Sequence, residues 1–593
     1  MARHQSVYAL LVLYVALYVK SLDAMPANPH PMTVTLYDGS NVTVRLVGDE
    51  FGSVHVLEDN GHVILPVDPP DAAKGIDYEY ATLEGGPGGK YVGTGKRIGD
   101  IPMDSLKPID PRTVRPVQDP EKLLKMRTKS PQGLKNNRGR RLSITASGQV
   151  PNLVCLIRFQ DHSGRTLPSK QQITNLMNQE GGGDDCPTGS VRDIYLENSY
   201  GTFDLTSVVT DWYDCSLTEA QAAGSDSATG DDSRLDECLY ECLEQAAVDF
   251  DFADFDSNND GEIDAIAFLH SGFGAETGST DCHGTSSANR IWSHKFSFEY
   301  FTQGVYSSNG VSVPEYHISP AVWGTCGSEI GRIGVIAHET GHFLGLPDLY
   351  DYTTGSGIGS WGMMANSWGT DGTQLYPPAF SAWSRYILGW LRDGVEVQTL
   401  SQTSDSGTYS LLAIGGTDTQ RGDLLKITFG FSSADEYLLV CNRRPYGIDS
   451  KAPGDGILVW HIDESNSCGG NSCPGYAGQA CYPFNGEHYQ VALTQADGEY
   501  DLEQGYYSDT GDVFIGSGAS LSDCGPSTDC EPNTRAYHNG ELTLTGISIS
   551  DISDAADTVS LTVTLDATNS GDVRHDSLKL NGCFPSFVAS PTQ

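Results

Sequence analysis

The sequence predicts an α+β fold spread over several domains, and three observations carry that reading. Between about residue 150 and residue 390, continuous apolar runs of strand length alternate with helical patterns. From about Leu391 the pattern changes to short strand-like segments separated by Gly, Asp and Ser, as in a β-sandwich. At 593 residues the chain is longer than one hydrophobic core normally serves.

The elements follow in chain order. Met1-Ala2-Arg3-His4 precedes an apolar run from Val7 to Val19, and small residues follow at Ala24 and Ala27. That order reads as a secretory signal peptide over residues 1–24. A signal anchor is the alternative, but the run is short for a span and Lys20 ends it. No later segment holds about 18 uninterrupted apolar residues, so no stable membrane anchor is expected. Met32 to Tyr37 and Val42 to Val47 alternate on either side of Asp38-Gly39-Ser40, which predicts a hairpin. Asn41-Val42-Thr43 is an N-glycosylation sequon suited to a surface loop. Residues 106–147 are rich in Pro, Lys and Arg and read as a solvated linker. Within it, Arg140-Arg141 is a candidate cleavage site for a trypsin-like or furin-like activating protease; an unprocessed basic linker is the alternative.

A compact domain is expected over residues 148–390. Leu153 to Phe159 and Ile263 to Leu269 read as buried strands. Ser169 to Met177, Asp236 to Val248, Ile333 to Leu344 and Pro377 to Trp390 read as helices. A β-rich extension is expected over residues 391–565, with strands at Leu424–Phe429, Tyr437–Val440, Gly456–Ile462, Tyr489–Leu493 and Val559–Val563. Residues 566–593 form a polar tail.

Composition narrows the function classes. The chain carries 36 Lys and Arg against 77 Asp and Glu, a net charge of −41. Residues 1–141 hold 18 of the basic and 16 of the acidic residues, so the negative charge lies almost wholly beyond them. Such a field opposes nucleic acid and anionic surfaces. The 14 cysteines are even in number, and none precedes Cys155, which fits a disulfide-bonded secreted chain. Their pairing is not readable from spacing.

The chemistry concentrates in His338-Glu339-Thr340-Gly341-His342-Phe343-Leu344-Gly345-Leu346-Pro347-Asp348. Residues four apart share a helix face, so His338 and His342 can point two imidazoles at one ion, with Glu339 beside them as a base. Gly345 can end the helix in the left-handed region and let Asp348 return as a third ligand. Two histidines and a carboxylate leave one position open, as a catalytic zinc site requires. A second metal expectation is calcium. In Asp256-Ser257-Asn258-Asn259-Asp260-Gly261-Glu262-Ile263-Asp264, oxygens fall at Asp256, Asn258, Asp260 and Asp264, with Glu262 between them and Gly261 at the sixth position. An EF-hand would carry Glu where Ala267 stands, and the alternative is an Asx-rich turn that caps itself.

Several separated stretches resemble the immune inhibitor A-like family of secreted zinc metalloproteases, relatives of the metzincins. They are Val42–Glu50 with Phe51, Gly189–Gly201, Asp256–His270, Ile291-Trp292-Ser293-His294 and the zinc motif. Trp361-Gly362-Met363-Met364, Pro377–Trp383, Leu388-Gly389-Trp390, Gly456–Asp463 and Gln495–Gly498 complete them. The resemblance covers roughly residues 32–565 and is most specific at the zinc motif. It implies a zincin-type, metzincin-like catalytic domain over 148–390, a propeptide over 25–105 and a β-sandwich-like extension. It assigns His338, His342 and Asp348 to zinc, Glu339 to general base and Met364 to the turn beneath the metal. The implied activity is hydrolysis of internal peptide bonds in protein or peptide substrates by a protein made as a zymogen. Residues 1–154 have no cysteine, so a prodomain thiolate on the metal is excluded. Steric occlusion and a prodomain carboxylate stay open. Tyr376 is a weak candidate for stabilising the oxyanion. An exopeptidase or zinc deacylase, and an adhesion protein that has lost catalysis, are the rival readings.

Overall fold

A computed structural model describes residues 23–49, 52–67, 77–84, 90–100, 107–109, 114, 134–135, 141–142, 144–278, 280–351, 355–415, 421–465, 488–524, 531–536, 543–568 and 571–572. Arg140, the Arg141 side chain, most of the segment expected as a signal peptide and most of the expected polar tail lie outside the described residues. The chain divides into two compact units. One comprises residues 1–348, 362–381 and 448–451; the other comprises 349–361, 382–447 and 452–593. The architecture is mixed α and β throughout.

The first unit holds two six-stranded sheets. The strands Met32–Thr35 (β2), Asn41–Asp49 (β3), Gly52–Leu57 (β4), Val63–Val67 (β5), Asp77–Glu84 (β6) and Lys90–Arg97 (β7) form an antiparallel meander in chain order. The expected hairpin is the pairing of β2 with β3, Val34 opposite Val42. Val34, Val42, Val44, Leu57, Ile64, Tyr78 and Tyr80 share its core, as alternation places them on one face. Asn41 is exposed at the start of β3.

The second sheet carries the chemistry. Gly148–Arg158 (β8), Phe203–Asp214 (β9), Ala265–Phe273 (β10) and Glu315–Val322 (β12) run parallel in the order β9-β8-β10-β12. His294–Ser297 (β11) is antiparallel to β12, and Asp23–Ala24 (β1) is in turn antiparallel to β11. Beyond β1 the chain is held on this unit. The Met25 carbonyl accepts from Trp292 Nε1 at 2.9 Å, and the Pro26 carbonyl accepts from Trp368 Nε1 at 3.1 Å.

Parallel strands buried on both faces need continuous apolar sequence, which Leu153 to Phe159 supplies. Lys170–Asn178 (α1) and Val191–Asn198 (α2) pack on β9, each starting at a serine that caps its third amide in a capping box. Leu235–Asp249 (α3) packs on β8, with Leu239 and Leu243 in one core with Leu153, Cys155 and Ile157. Disulfides join Cys215 to Cys238 and Cys282 to Cys326. From the stretch expected as a solvated linker, Val114 and Ile144 are buried.

The second unit is β-rich. Val397–Leu400 (β13), Leu424–Ile427 (β15), Glu436–Arg443 (β16), Gly456–Asp463 (β17) and Val491–Thr494 (β18) form one sheet. Gly407–Leu412 (β14), Leu521–Ser522 (β19), Ile547–Ser550 (β20) and Thr558–Leu565 (β21) form another, in the order β14-β21-β20-β19. Leu425, Val440 and Val459 of the first share a core with Leu411, Ile549 and Leu561 of the second.

Some expected elements differ in extent. The helix expected over Pro377–Trp390 is confined to Ala382–Ile387. Pro377 and Pro378 have no amide hydrogen to give a helix. The next two amides bond to side chains instead: Ala379 N to Asp449 Oδ1 and Phe380 N to Asn198 Oδ1, both at 2.8 Å. The strand expected from Ile263 starts at Ala265, after the Asp-rich loop.

Candidate metal centre

The centre is built on Ile333–Gly341 (α4), a helix buried at every residue. Its apolar stripe through Ile333, Ile336 and Ala337 seats it, and it packs on β12 and α2. The α-helix stops at Gly341, short of the expected Leu344, and His342–Leu344 continue as one 3₁₀ turn. His342 nevertheless keeps helical dihedrals (φ −68°, ψ −25°), so it stays on the face of His338. Gly345 follows in the left-handed conformation at φ 72°, where a side chain is disfavoured. The chain then turns, and Asp348 comes back to the two rings.

His338 Nε2 lies 3.1 Å and His342 Nε2 3.5 Å from Asp348 Oδ1. The rings stand perpendicular with centroids 4.9 Å apart. One donor atom from each of the three residues lies within 4.8 Å of the others, the only such cluster among the described residues. The opposite ring nitrogens settle the tautomers. His338 Nδ1 bonds the Met363 carbonyl at 3.0 Å, and His342 Nδ1 bonds the Leu346 carbonyl at 2.8 Å. A carbonyl only accepts, so each Nδ1 carries hydrogen and each Nε2 keeps its lone pair for a ligand. Burial pulls the His342 ring down to about 3, which keeps it neutral. Two imidazoles and one carboxylate, all buried, match the donor set of a catalytic zinc site.

Glu339 is fully buried one residue along the helix from His338. Met364 packs against α4 at Gly341, where a Cβ would sit 2.7 Å from its Sδ. Tyr376 is half-buried, with Lys451 Nζ 3.7 Å from its ring centroid. In the acidic loop, Asp256 accepts from Asp260 N at 3.1 Å and Gly261 N at 2.9 Å. Asp264 accepts from Ser257 N at 2.9 Å, and Asp260 from Glu262 N at 3.0 Å. Asn258 Oδ1 accepts from Asp260 N at 2.8 Å. The loop's side-chain oxygens thus bind its own amides, and its carboxylates are not among the groups whose donor atoms converge.

Sequence reasoning did not find the two carbonyls that orient the histidines, because backbone groups leave no side-chain signal. Nor did it give a role to Tyr195, inside the Gly189–Gly201 stretch, whose hydroxyl donates to the Ala337 carbonyl at 2.6 Å.

Comparison with known proteins finds relatives of the segment that carries this centre. Residues 171–391 match the family model of the immune inhibitor A peptidase M6 catalytic domain. The pre-pro-metalloprotease PrtV of Vibrio cholerae serotype O1 is 32% identical over 228 residues, 34% of this chain and 23% of that protein. Immune inhibitor A of Bacillus thuringiensis subsp. alesti is 29% identical over 274 residues, 40% of this chain and 38% of the relative. The chain thus matches well under half the length of these relatives. Among the described residues, no helix is long and apolar enough to cross a membrane.

Proposed function

We propose that this chain is a secreted zinc-dependent endopeptidase made as a zymogen. The observation that carries the reading is the convergence of His338 Nε2, His342 Nε2 and Asp348 within one donor sphere, beside Glu339, inside the matched peptidase segment. When bound, zinc would polarise the scissile carbonyl and make a water molecule a better nucleophile near neutral pH. The chain's own residues supply the rest. His338, His342 and Asp348 hold the ion. The Met363 and Leu346 carbonyls fix the two rings. Glu339 takes the proton from the attacking water and returns it to the leaving amine. Met364 forms the floor under the helix. The buried, apolar surroundings of α4 exclude bulk water and strengthen the charge interactions.

Zymogen character is supported by the N-terminal segment. Just past the leader, the Met25 and Pro26 carbonyls accept from Trp292 and Trp368, which ties the start of the propeptide to the unit that carries the metal centre. Residues 25–105 are the propeptide in this reading, residues 148–390 the zincin-type catalytic domain, and 391–565 a β-sandwich extension. Cleavage near Arg140-Arg141 would release the propeptide. The leader over 1–24, the disulfides and the exposed Asn41 sequon fit export and glycosylation. Calcium at the Asp256–Asp264 loop is a further part of the proposal, supported by its oxygen spacing.

One assay tests both activity and latency. A long peptide blocked at both ends is incubated with the intact chain, with the trypsin-treated chain and with an Arg140→Ala/Arg141→Ala variant, each with and without phenanthroline. Internal cleavage by the processed chain alone, abolished by chelation, is expected. Failure to cut blocked peptide while trimming free ends would point to an exopeptidase. Equal cutting by the intact variant would remove the zymogen reading.

A further inference from the structure

α4 is buried along its whole length, yet polar groups meet its rear. With 3.6 residues per turn, Thr340 projects from the side opposite the His338–His342 pair. Its hydroxyl donates to the Ile336 carbonyl at 2.7 Å and meets His317 Nε2 at 3.3 Å. The hydroxyl has one proton, so His317 is the donor in the second contact and carries hydrogen on Nε2. Burial holds the His317 ring down at about 3, so it is neutral. The Tyr195 hydroxyl donates to the Ala337 carbonyl at 2.6 Å and lies beside the Thr340 hydroxyl. Tyr195 is 0%, His317 1% and Thr340 1% exposed. Tyr195 comes from α2 and His317 from β12, so a helix and a strand grip one turn of α4 together.

Apolar residues of similar size would bury this surface without the desolvation cost of three polar groups. What they would lack is direction. A hydrogen bond weakens steeply with angle, whereas an apolar contact tolerates rotation. Rotation of α4 about its axis is the movement to which Glu339 is sensitive, because it swings the carboxylate relative to Asp348, which arrives from the chain beyond Gly345. His338 and His342 carry carbonyl bonds of their own.

We propose that Tyr195, Thr340 and His317 form a polar brace that sets the rotation of α4 and thereby aims Glu339. They are positioning residues for peptide hydrolysis, and the inference rests on Glu339 being the base. The brace predicts a selective defect: turnover falls while zinc and substrate are still held.

The test uses the processed full chain and an internally quenched peptide. Tyr195→Phe, Thr340→Val, Thr340→Ser and the Tyr195→Phe/Thr340→Val double variant are compared for kcat, KM, zinc affinity by chelator competition, and Tm. Tyr195→Phe and Thr340→Val should each lower kcat by about 10- to 100-fold, the range expected for a small misplacement of a reacting group. KM should stay within about twofold, and zinc should be retained. Thr340→Ser should keep most of the activity, and the double variant should fall no further than the worse single one. Unchanged kcat per bound zinc would overturn the proposal, as would a loss that tracks falling zinc content or Tm. If Thr340→Val does not fold, Tyr195→Phe decides, since it removes one oxygen and leaves the ring. Glu339→Gln is assayed alongside. Wild-type turnover in that variant would sink the base assignment itself, whereas an inactive Glu339→Gln beside fully active brace variants would sink only the brace.

Discussion

At the scale of single residues, the site is held by groups that do no chemistry. His338 and His342 would bind a metal poorly if their rings could turn, and the Met363 and Leu346 carbonyls prevent that. Gly341 shows how tightly the surroundings are drawn. Its missing side chain leaves room for Met364 Sδ and for Phe380, whose Cε1 would lie 3.3 Å from an added Cβ. Gly341→Ala should therefore force the Met364 thioether off the helix and destabilise the protein by about 1–3 kcal/mol, the usual cost of overpacking a core. Thermal melting checks this: a lowered Tm with reduced zinc retention is expected, and an unchanged Tm would mean that Met364 does not pack there. The candidate ligands were legible because His338, His342, Gly345 and Asp348 must keep fixed spacing to meet. The brace residues carry no such spacing, since Tyr195 and His317 reach α4 only through the packing of α2 and β12.

At the scale of elements, periodicity read the buried strands and most helices well, and the misses have local causes. Pro377 and Pro378 ended a helix that the aromatic spacing of the following residues suggested. The two-residue β1 was invisible because so short a strand has no period, and its pairing is decided by β11. The Asp256–Asp264 loop is the element on which two outcomes stay distinguishable. Bound calcium would link its carboxylates, whereas the amide bonds they already accept would suffice for a self-capped turn. Calcium is expected to raise the Tm of the wild type and to leave an Asp256→Asn/Asp260→Asn variant unmoved. Equal melting with and without calcium in the wild type would assign the loop to structure alone.

At the scale of the molecule, buried groups in the two units should respond to pH in opposite directions. In the first, burial lowers His270 and His317 to about 3 and His55 and His294 to about 4. Their folded values lie below the ordinary 6.5, so the neutral forms contribute stability above that pH, and it is lost as pH falls from 6.5 toward 3. In the second, burial raises Glu503 and Asp512 to about 7 from ordinary values of 4.5 and 3.8. Those carboxyls contribute stability when protonated, present at low pH and lost as pH rises toward 7. Hydrogen exchange read peptide by peptide should show the segments around His55, His270, His294 and His317 loosening between pH 6.5 and 4.5 and those around Glu503 and Asp512 between pH 5 and 7.5; parallel behaviour would contradict both assignments. The account as a whole depends on one zinc ion held by His338, His342 and Asp348 with Glu339 as its base. The most direct test is the zinc content of purified processed wild type and Glu339→Gln by mass spectrometry, with casein cleavage measured on the same samples. One zinc per chain in both, with cleavage only in the wild type, is predicted. Absence of zinc from the wild type, or wild-type cleavage by Glu339→Gln, would contradict it.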